Sequence, residues 1–428
     1  MRRRGRTIRT EYRESRAMSS TPTPTPTTAT ATIDIASSHY PQLDGLRGLA
    51  ILLVIVFHFS LMHAGFRGDD PGIFLQVAQL GWMGVDLFFV LSGFLITGIL
   101  ASARAQKHYF KNFLGRRFLR IWPLYYLSLL LLLVIAPLVM GKVPSELQGM
   151  QAKQTWFWLY ATNWLFALEG GFSRTSGGYF WSLAVEEQFY VVWPFVVYAL
   201  SDRSLLRVSL GLLGVSLVSR LVLTAFGVGT GVLYNMTFTH LDGLAVGACL
   251  SICLRSPVLT ARVTRALPLA AAVALVGLLA ARLADQHFFF WGRHMAMYGY
   301  TLIAILFGAM LVRVARGVTN KGLNRVLTTR FMTLCGKYSY ALYLVHVPVA
   351  SVLFPLAYRV LRHQQPLIGY DGTFLVGAVV AFATSWALAV ASWFLIEKRI
   401  LALKRYFVSS TAPPASISPV PSHGMGRP

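Results

Sequence analysis

The pair that most invites a chemical reading is Arg47 and His58, in LDGLRGLAILLVIVFHF. Eleven residues is close to three turns of α-helix, so both side chains project from nearly one face. His58 then lies roughly 16 Å along the helix from Arg47. An anion held by Arg47 at the membrane edge would extend a reactive group toward an imidazole near mid-membrane. Histidine is the side chain best suited to taking and returning a proton at neutral pH. A plainer reading fits the spacing equally well: Arg47 marks the cytoplasmic side and His58 bonds a neighbouring helix.

A second group of cations stands in GRRFLRIWPLYY, where Arg116, Arg117 and Arg120 occupy i, i+1 and i+4. Arg120 shares a helix face with either neighbour, and guanidinium groups grip phosphate bidentately. The commoner use of such a cluster is to anchor the start of a span to anionic headgroups.

Acids and polar residues inside apolar runs are costly and therefore functional candidates. Asp86 lies in GWMGVDLFFVLSGFLITG with no charged neighbour for many residues, and Glu186 and Glu187 enter the apolar helix of YFWSLAVEEQFYVVWP. One glutamate can face the bundle interior and orient the histidine, but adjacent residues are not expected to do so together. Interhelical hydrogen bonding is the alternative, more natural for Asp86 than for the double glutamate. His240 and Asp242 open a span in FTHLDGLAVGACL, where contact with substrate and interfacial solvation are equally open. KYSYALYLVHVP sets Ser339, Tyr343 and His346 at i, i+4 and i+7, one stripe down a helix that reads as polar lining or packing face. His346 is the second candidate for proton transfer. Trp181, Glu186, His240, Asp242, Tyr343 and His346 form the expected substrate-binding set.

These residues need a scaffold, and the composition says which kind. The chain has 428 residues, of which 55% are hydrophobic and only 13% charged, with a mean hydropathy of +0.56. A soluble domain carries about 25% charged residues. The apolar residues come in continuous runs of about 20, the length that crosses a hydrocarbon core. Continuous runs fit helices and exclude the alternating pattern of a membrane barrel. The expectation is an all-α polytopic membrane protein of about ten spans, at 45–63, 80–101, 119–140, 180–200, 205–227, 237–254, 265–284, 296–313, 331–356 and 373–396. The Trp-rich run at 155–168 is too short to cross and reads as an interfacial or re-entrant helix.

The formal charge of +23 comes from 39 Lys and Arg against 16 Asp and Glu. The basic residues fall between apolar runs, where they orient the chain and contact anionic lipids, so nucleic-acid binding is rejected. Basic loops at 104–117, 255–265, 313–330 and 398–405 read as cytoplasmic, which places both termini there. Residues 1–40 are basic and Thr/Pro-rich, and residues 406–428 are rich in Pro and Ser. Both read as disordered tails flanking a membrane domain at 41–405. Cys249, Cys253 and Cys335 lie in or beside apolar segments and suggest neither a disulfide framework nor a metal site.

The R-x10-H of Arg47 and His58, the VDLFFVLSGFLI segment, the R-x-x-R of Arg117 and Arg120, WSLAVEEQFY and SYALYLVHVP resemble the membrane-bound acyltransferase family three. The resemblance runs from about residue 40 to about 400, with five motifs in family order. It implies a bacterial inner-membrane enzyme that moves an acyl group, commonly acetyl from acetyl-coenzyme A, to a hydroxyl of a carbohydrate or glycoconjugate. On the family's pattern His58 and Arg47 are the catalytic pair, while Arg117 and Arg120, with Arg116 beside them, belong to the donor side. The family often ends its last span with Glu, a basic residue and Pro; here Glu397 and Lys398 are followed by Arg399, which leaves the helix stop open. Some relatives carry an extra esterase-like domain after the spans. The residues beyond Arg405 are too few for one, so either the membrane domain completes transfer alone or a partner protein does.

The scheme expected from these residues docks acyl-coenzyme A with its phosphates on Arg117, Arg120 and Arg47, and its arm along the first span. His58 acts as general base or briefly carries the acyl group, no metal is required, and Glu187 or Asp86 fixes the imidazole tautomer. The rival is a proton-coupled transporter of a glycan or lipid-linked precursor, with intramembrane His, Asp and Glu as a relay.

Overall fold

A computed structural model describes residues 40–67, 73–171, 177–287 and 289–407. The two expected tails fall almost wholly outside these residues. Among them every regular element is helical.

Ten helices form the bundle: α1 (Pro41–Arg67), α2 (Gly84–Ala103), α3 (Tyr109–Met140), α4 (Phe180–Ala199), α5 (Asp202–Ala225), α6 (Asp242–Cys253), α7 (Pro257–Asp285), α8 (Met295–Ala315), α9 (Ser339–Val360) and α10 (Gly369–Phe407). Eight of them are long and apolar enough to cross a membrane by length and composition, and α4 and α6 are the other two. Leu138, Val139, Val276 and Leu283 are exposed on the outside of the bundle, a surface that only lipid tails would solvate well. Aromatic side chains such as Trp82, Tyr125, Phe180 and Trp193 fill the interior.

Several boundaries differ from the sequence reading, each for a local reason. Helix α3 begins at Tyr109, so the arginine cluster is inside a helix rather than in the loop before one. The run at 155–168 is two short helices, Gln154–Trp158 and Thr162–Leu168. They break where Tyr160 takes a left-handed φ of 52° and stacks its ring on Tyr125 at 3.9 Å. The span expected at 331–356 is interrupted at Tyr338, between an amphipathic helix (Arg330–Lys337) and α9.

Helix α6 has only 12 residues, shorter than a full span, and all of them are buried. Its backbone lies directly on α2. A Cβ at Gly93 would come within 2.1 Å of the Leu244 carbonyl oxygen, so the crossing requires glycine there. Helix α10 continues without a stop through Arg399 to Phe407. Proline at 399 would remove a helical donor and clash with the preceding turn; arginine does neither.

Candidate active site

Three cavities follow one another along α2. The first is an aromatic chamber that touches α2 at Val85. The second is a basic cleft running from Val85 to Ile96. The third borders Ile99, Leu100 and Ala103. The span from Val85 to Ala103 is roughly 27 Å of helix, about the thickness of a hydrocarbon core. Neighbouring cavities share walls: Val85 and Tyr343 separate chamber from cleft, and Arg117 and Arg120 separate cleft from third cavity.

The basic cleft gathers Arg47 from α1 with Arg117 and Arg120 from α3, which are distant in sequence. Arg47 holds Asp44 one turn away at 3.3 Å. The Arg117 guanidinium lies over the rings of Tyr190 and Phe113, 5.4 and 5.6 Å from their centroids. Among the described residues neither Arg117 nor Arg120 has a carboxylate within 4.0 Å.

Glu186 and Glu187 both line this cleft, contrary to the expectation that only one of two adjacent glutamates faces inward. The cleft wraps around α4, so side chains about 100° apart reach it from two sides. Glu186 accepts a hydrogen bond from Ser92 at 2.6 Å, and Ser92 in turn accepts one from Tyr190 at 2.9 Å. Glu187 accepts from the Trp122 indole at 2.7 Å, and its second oxygen is buried with no hydrogen-bond partner among the described residues.

His58 lines the chamber with Tyr179, Trp181, Tyr234, Phe290 and Trp291, around about 290 Å³ of free volume. Its Nδ1 is 2.9 Å from the Val54 carbonyl oxygen and 3.1 Å from Nε2 of His346. His346 Nδ1 is 3.0 Å from the Leu342 carbonyl oxygen. A carbonyl only accepts, so each Nδ1 carries the proton and donates. His346 Nε2 therefore has a lone pair turned to the His58 Nδ1–H. The protonated Nδ1 leaves His58 Nε2 as an unprotonated, basic nitrogen. Tyr343, one turn before His346, donates from its hydroxyl to the Tyr179 carbonyl at 2.8 Å and lies 2.5 Å from the Ser182 hydroxyl.

Among the described residues no carboxylate is hydrogen-bonded to His58. Asp86 is 3.2 Å from His240 Nε2, with both side chains buried, and Glu187 is taken by Trp122. His240 and Asp242 are not at an interface either. They are 1% exposed, and Asp242 forms a two-pronged ion pair with Arg220, both N–O distances being 2.7 Å. Arg220 also donates to Thr301 at 2.6 Å and to the Thr239 carbonyl. Helix α6 starts too deep in the bundle for these residues to meet solvent. Sequence reasoning overlooked Arg220, although a lone arginine within an apolar run is the signal that should have drawn attention. It also overlooked Ser92, Ser182 and Trp122, whose roles depend on which helices meet.

A family model described as an acyltransferase domain matches residues 40–390, a stretch that includes the cleft and the His58 chamber. The chain belongs to this acyltransferase family. It is similar to the peptidoglycan O-acetyltransferase OatA of Listeria monocytogenes, 28% identical over 382 residues, covering 85% of this chain and 56% of that protein. It is also similar to the O-acetyltransferase OatA of Staphylococcus aureus, 27% identical over 359 residues, covering 80% of this chain and 55% of that protein. The chain thus spans about half the length of these relatives. No solved structure matches it significantly. Family membership favours the enzyme over the transporter reading.

Proposed function

We propose that the protein is a membrane O-acetyltransferase that takes acetyl from acetyl-coenzyme A and passes it to a hydroxyl of a cell-wall glycan. The observation that carries this reading is the pair of joined cavities. One holds Arg117 and Arg120, which have no carboxylate within 4.0 Å among the described residues, and the other holds an imidazole whose Nδ1 is turned to a carbonyl, which leaves Nε2 as the basic nitrogen. The names of the relatives support acetyl as the group and peptidoglycan as the acceptor class.

In this scheme the donor's phosphates rest on Arg117, Arg120 and Arg47, where bidentate guanidinium contacts hold them. The thioester reaches past Tyr343 toward His58. His58 Nε2 removes the proton from the acceptor hydroxyl as its oxygen attacks the thioester carbonyl. The carbon–sulfur bond then breaks, and the leaving thiolate takes the proton back from His58. The Val54 carbonyl fixes the His58 tautomer, and His346 is a positioning residue that helps hold the ring. Trp181 and Tyr234 offer flat apolar faces for a sugar ring. The arginine-lined end is cytoplasmic, where the donor is made, with both termini on that side of a bacterial inner membrane. A partner protein or further domain receives or carries the acetyl group where the acceptor lies beyond reach of the chamber.

The test is transfer of labelled acetyl from acetyl-coenzyme A to peptidoglycan fragments by the purified protein in nanodiscs. Label on the glycan, lost in His58→Ala, supports the reading. Absence of transfer, with folded protein and several glycan preparations, refutes it.

A further inference from the structure

The third cavity is lined by Arg116, Arg117 and Arg120 from α3 and by Lys404 from the last turn of α10, and no carboxylate is among its lining residues. None of the four cations has a carboxylate within 4.0 Å among the described residues. Four like charges around one cavity repel where water is scarce, and an anion that joins them relieves that repulsion. Because Arg117 and Arg120 also line the cleft, a ligand with two separate anionic groups can occupy both spaces at once.

We propose that this cavity is a subsite for the 3′-phosphate of the coenzyme A donor, with Lys404 and Arg116 as its dedicated contacts. The proposal rests on the reading of the donor as an acyl-coenzyme A. The diphosphate sits on the shared Arg117 and Arg120, the acyl arm runs inward toward Tyr343, and the ribose phosphate points outward to Lys404.

The local structure is built to present these two groups. Helix α10 continues through Arg399 and so carries Lys404 over α3. Lys404 is half-buried while its neighbours Arg405 and Tyr406 are exposed. The Phe407 ring is seated on Gly115, where a Cβ would come within 2.2 Å of it. The Phe407 carbonyl accepts from Arg116 Nε at 2.7 Å. That bond fixes the guanidinium and leaves its terminal nitrogens for a ligand.

The experiment is equilibrium binding of coenzyme A and of 3′-dephospho-coenzyme A to the full chain in nanodiscs of zwitterionic lipid. The wild type is expected to bind coenzyme A about tenfold more tightly, the worth of one charge-assisted contact. Lys404→Ala should remove most of that preference by weakening coenzyme A alone, and Lys404→Arg should keep it. A Lys404→Ala protein that weakens both ligands equally, or neither, overturns the subsite; the second result is also what an anionic lipid headgroup site would give. If the wild type binds neither cofactor, the donor reading itself fails and the subsite with it.

Discussion

Arg220 and Arg117 are both arginines set within helices of a lipid-embedded bundle, and they differ in what neutralises them. Arg220 is fully enclosed and has its charge met by Asp242 and its donors met by Thr301 and the Thr239 carbonyl. Nothing is left over for a ligand. Arg117 stacks on Tyr190 and Phe113 and opens on a cleft with two other arginines, and among the described residues no carboxylate lies within 4.0 Å of it, although Glu186 and Glu187 line the same cleft. Burying charge is costly in either case. The first cluster settles that cost inside the fold, whereas the second leaves it to an anion from outside. A buried charge in a membrane protein is thus informative about function only once its partners are counted.

The largest effect should come from breaking the closed cluster. Asp242→Ala strands a buried guanidinium and should cost about 3–5 kcal/mol of stability, read as a lower melting temperature in detergent and a reduced yield. Replacing both members, Arg220→Met with Asp242→Leu, should recover most of that loss. The open cluster should answer in the opposite way. Arg117→Gln with Arg120→Gln should leave melting unchanged or raise it slightly, because like charges are removed. The same change should weaken coenzyme A binding by about tenfold for each lost charge-assisted contact. If the paired change lowers the melting temperature as Asp242→Ala does, the contrast between the clusters collapses.

A smaller effect is expected where two imidazoles meet. His346→Phe removes one of the two acceptors for His58 Nδ1–H, leaving the Val54 carbonyl, and should lower the rate of transfer roughly tenfold through lost positioning, with coenzyme A binding intact. His346→Gln, which restores an acceptor oxygen, should recover part of the rate. An equal loss in both variants would assign His346 to packing alone.

Much of the bundle was legible from the chain because lipid imposes a simple code. Apolar runs of span length and basic loops between them place ten helices near their observed positions. Arg47, Arg117 and Arg120 were also readable as one group, since cations at helix ends on one side can converge. Partnerships between helices were not readable. The expectation of Glu187 or Asp86 beside His58 failed because helix crossing decides which side chains meet. The Gly93 contact draws α6 onto α2 and commits Asp86 to His240, while Trp122 on α3 claims Glu187. Helix breaks were equally hidden. Tyr160 takes a conformation that is poor for a tyrosine in isolation, and its stacking on Tyr125 exists only in the folded bundle. Lys404 escaped notice because its place in the site depends on a helix that fails to stop.

On the proposed mechanism, donor binding and proton transfer lie at separate points along one line of cavities. Its most direct test measures acetyl transfer and coenzyme A affinity together on His58→Ala and on the Arg117→Gln, Arg120→Gln pair. Transfer in His58→Ala should fall about a hundred- to ten-thousandfold while its affinity for coenzyme A stays that of the wild type. The arginine pair should lose affinity and recover much of its rate at high donor concentration. A His58→Ala protein that transfers acetyl at the wild-type rate, or that fails only because it no longer binds the donor, would contradict the account.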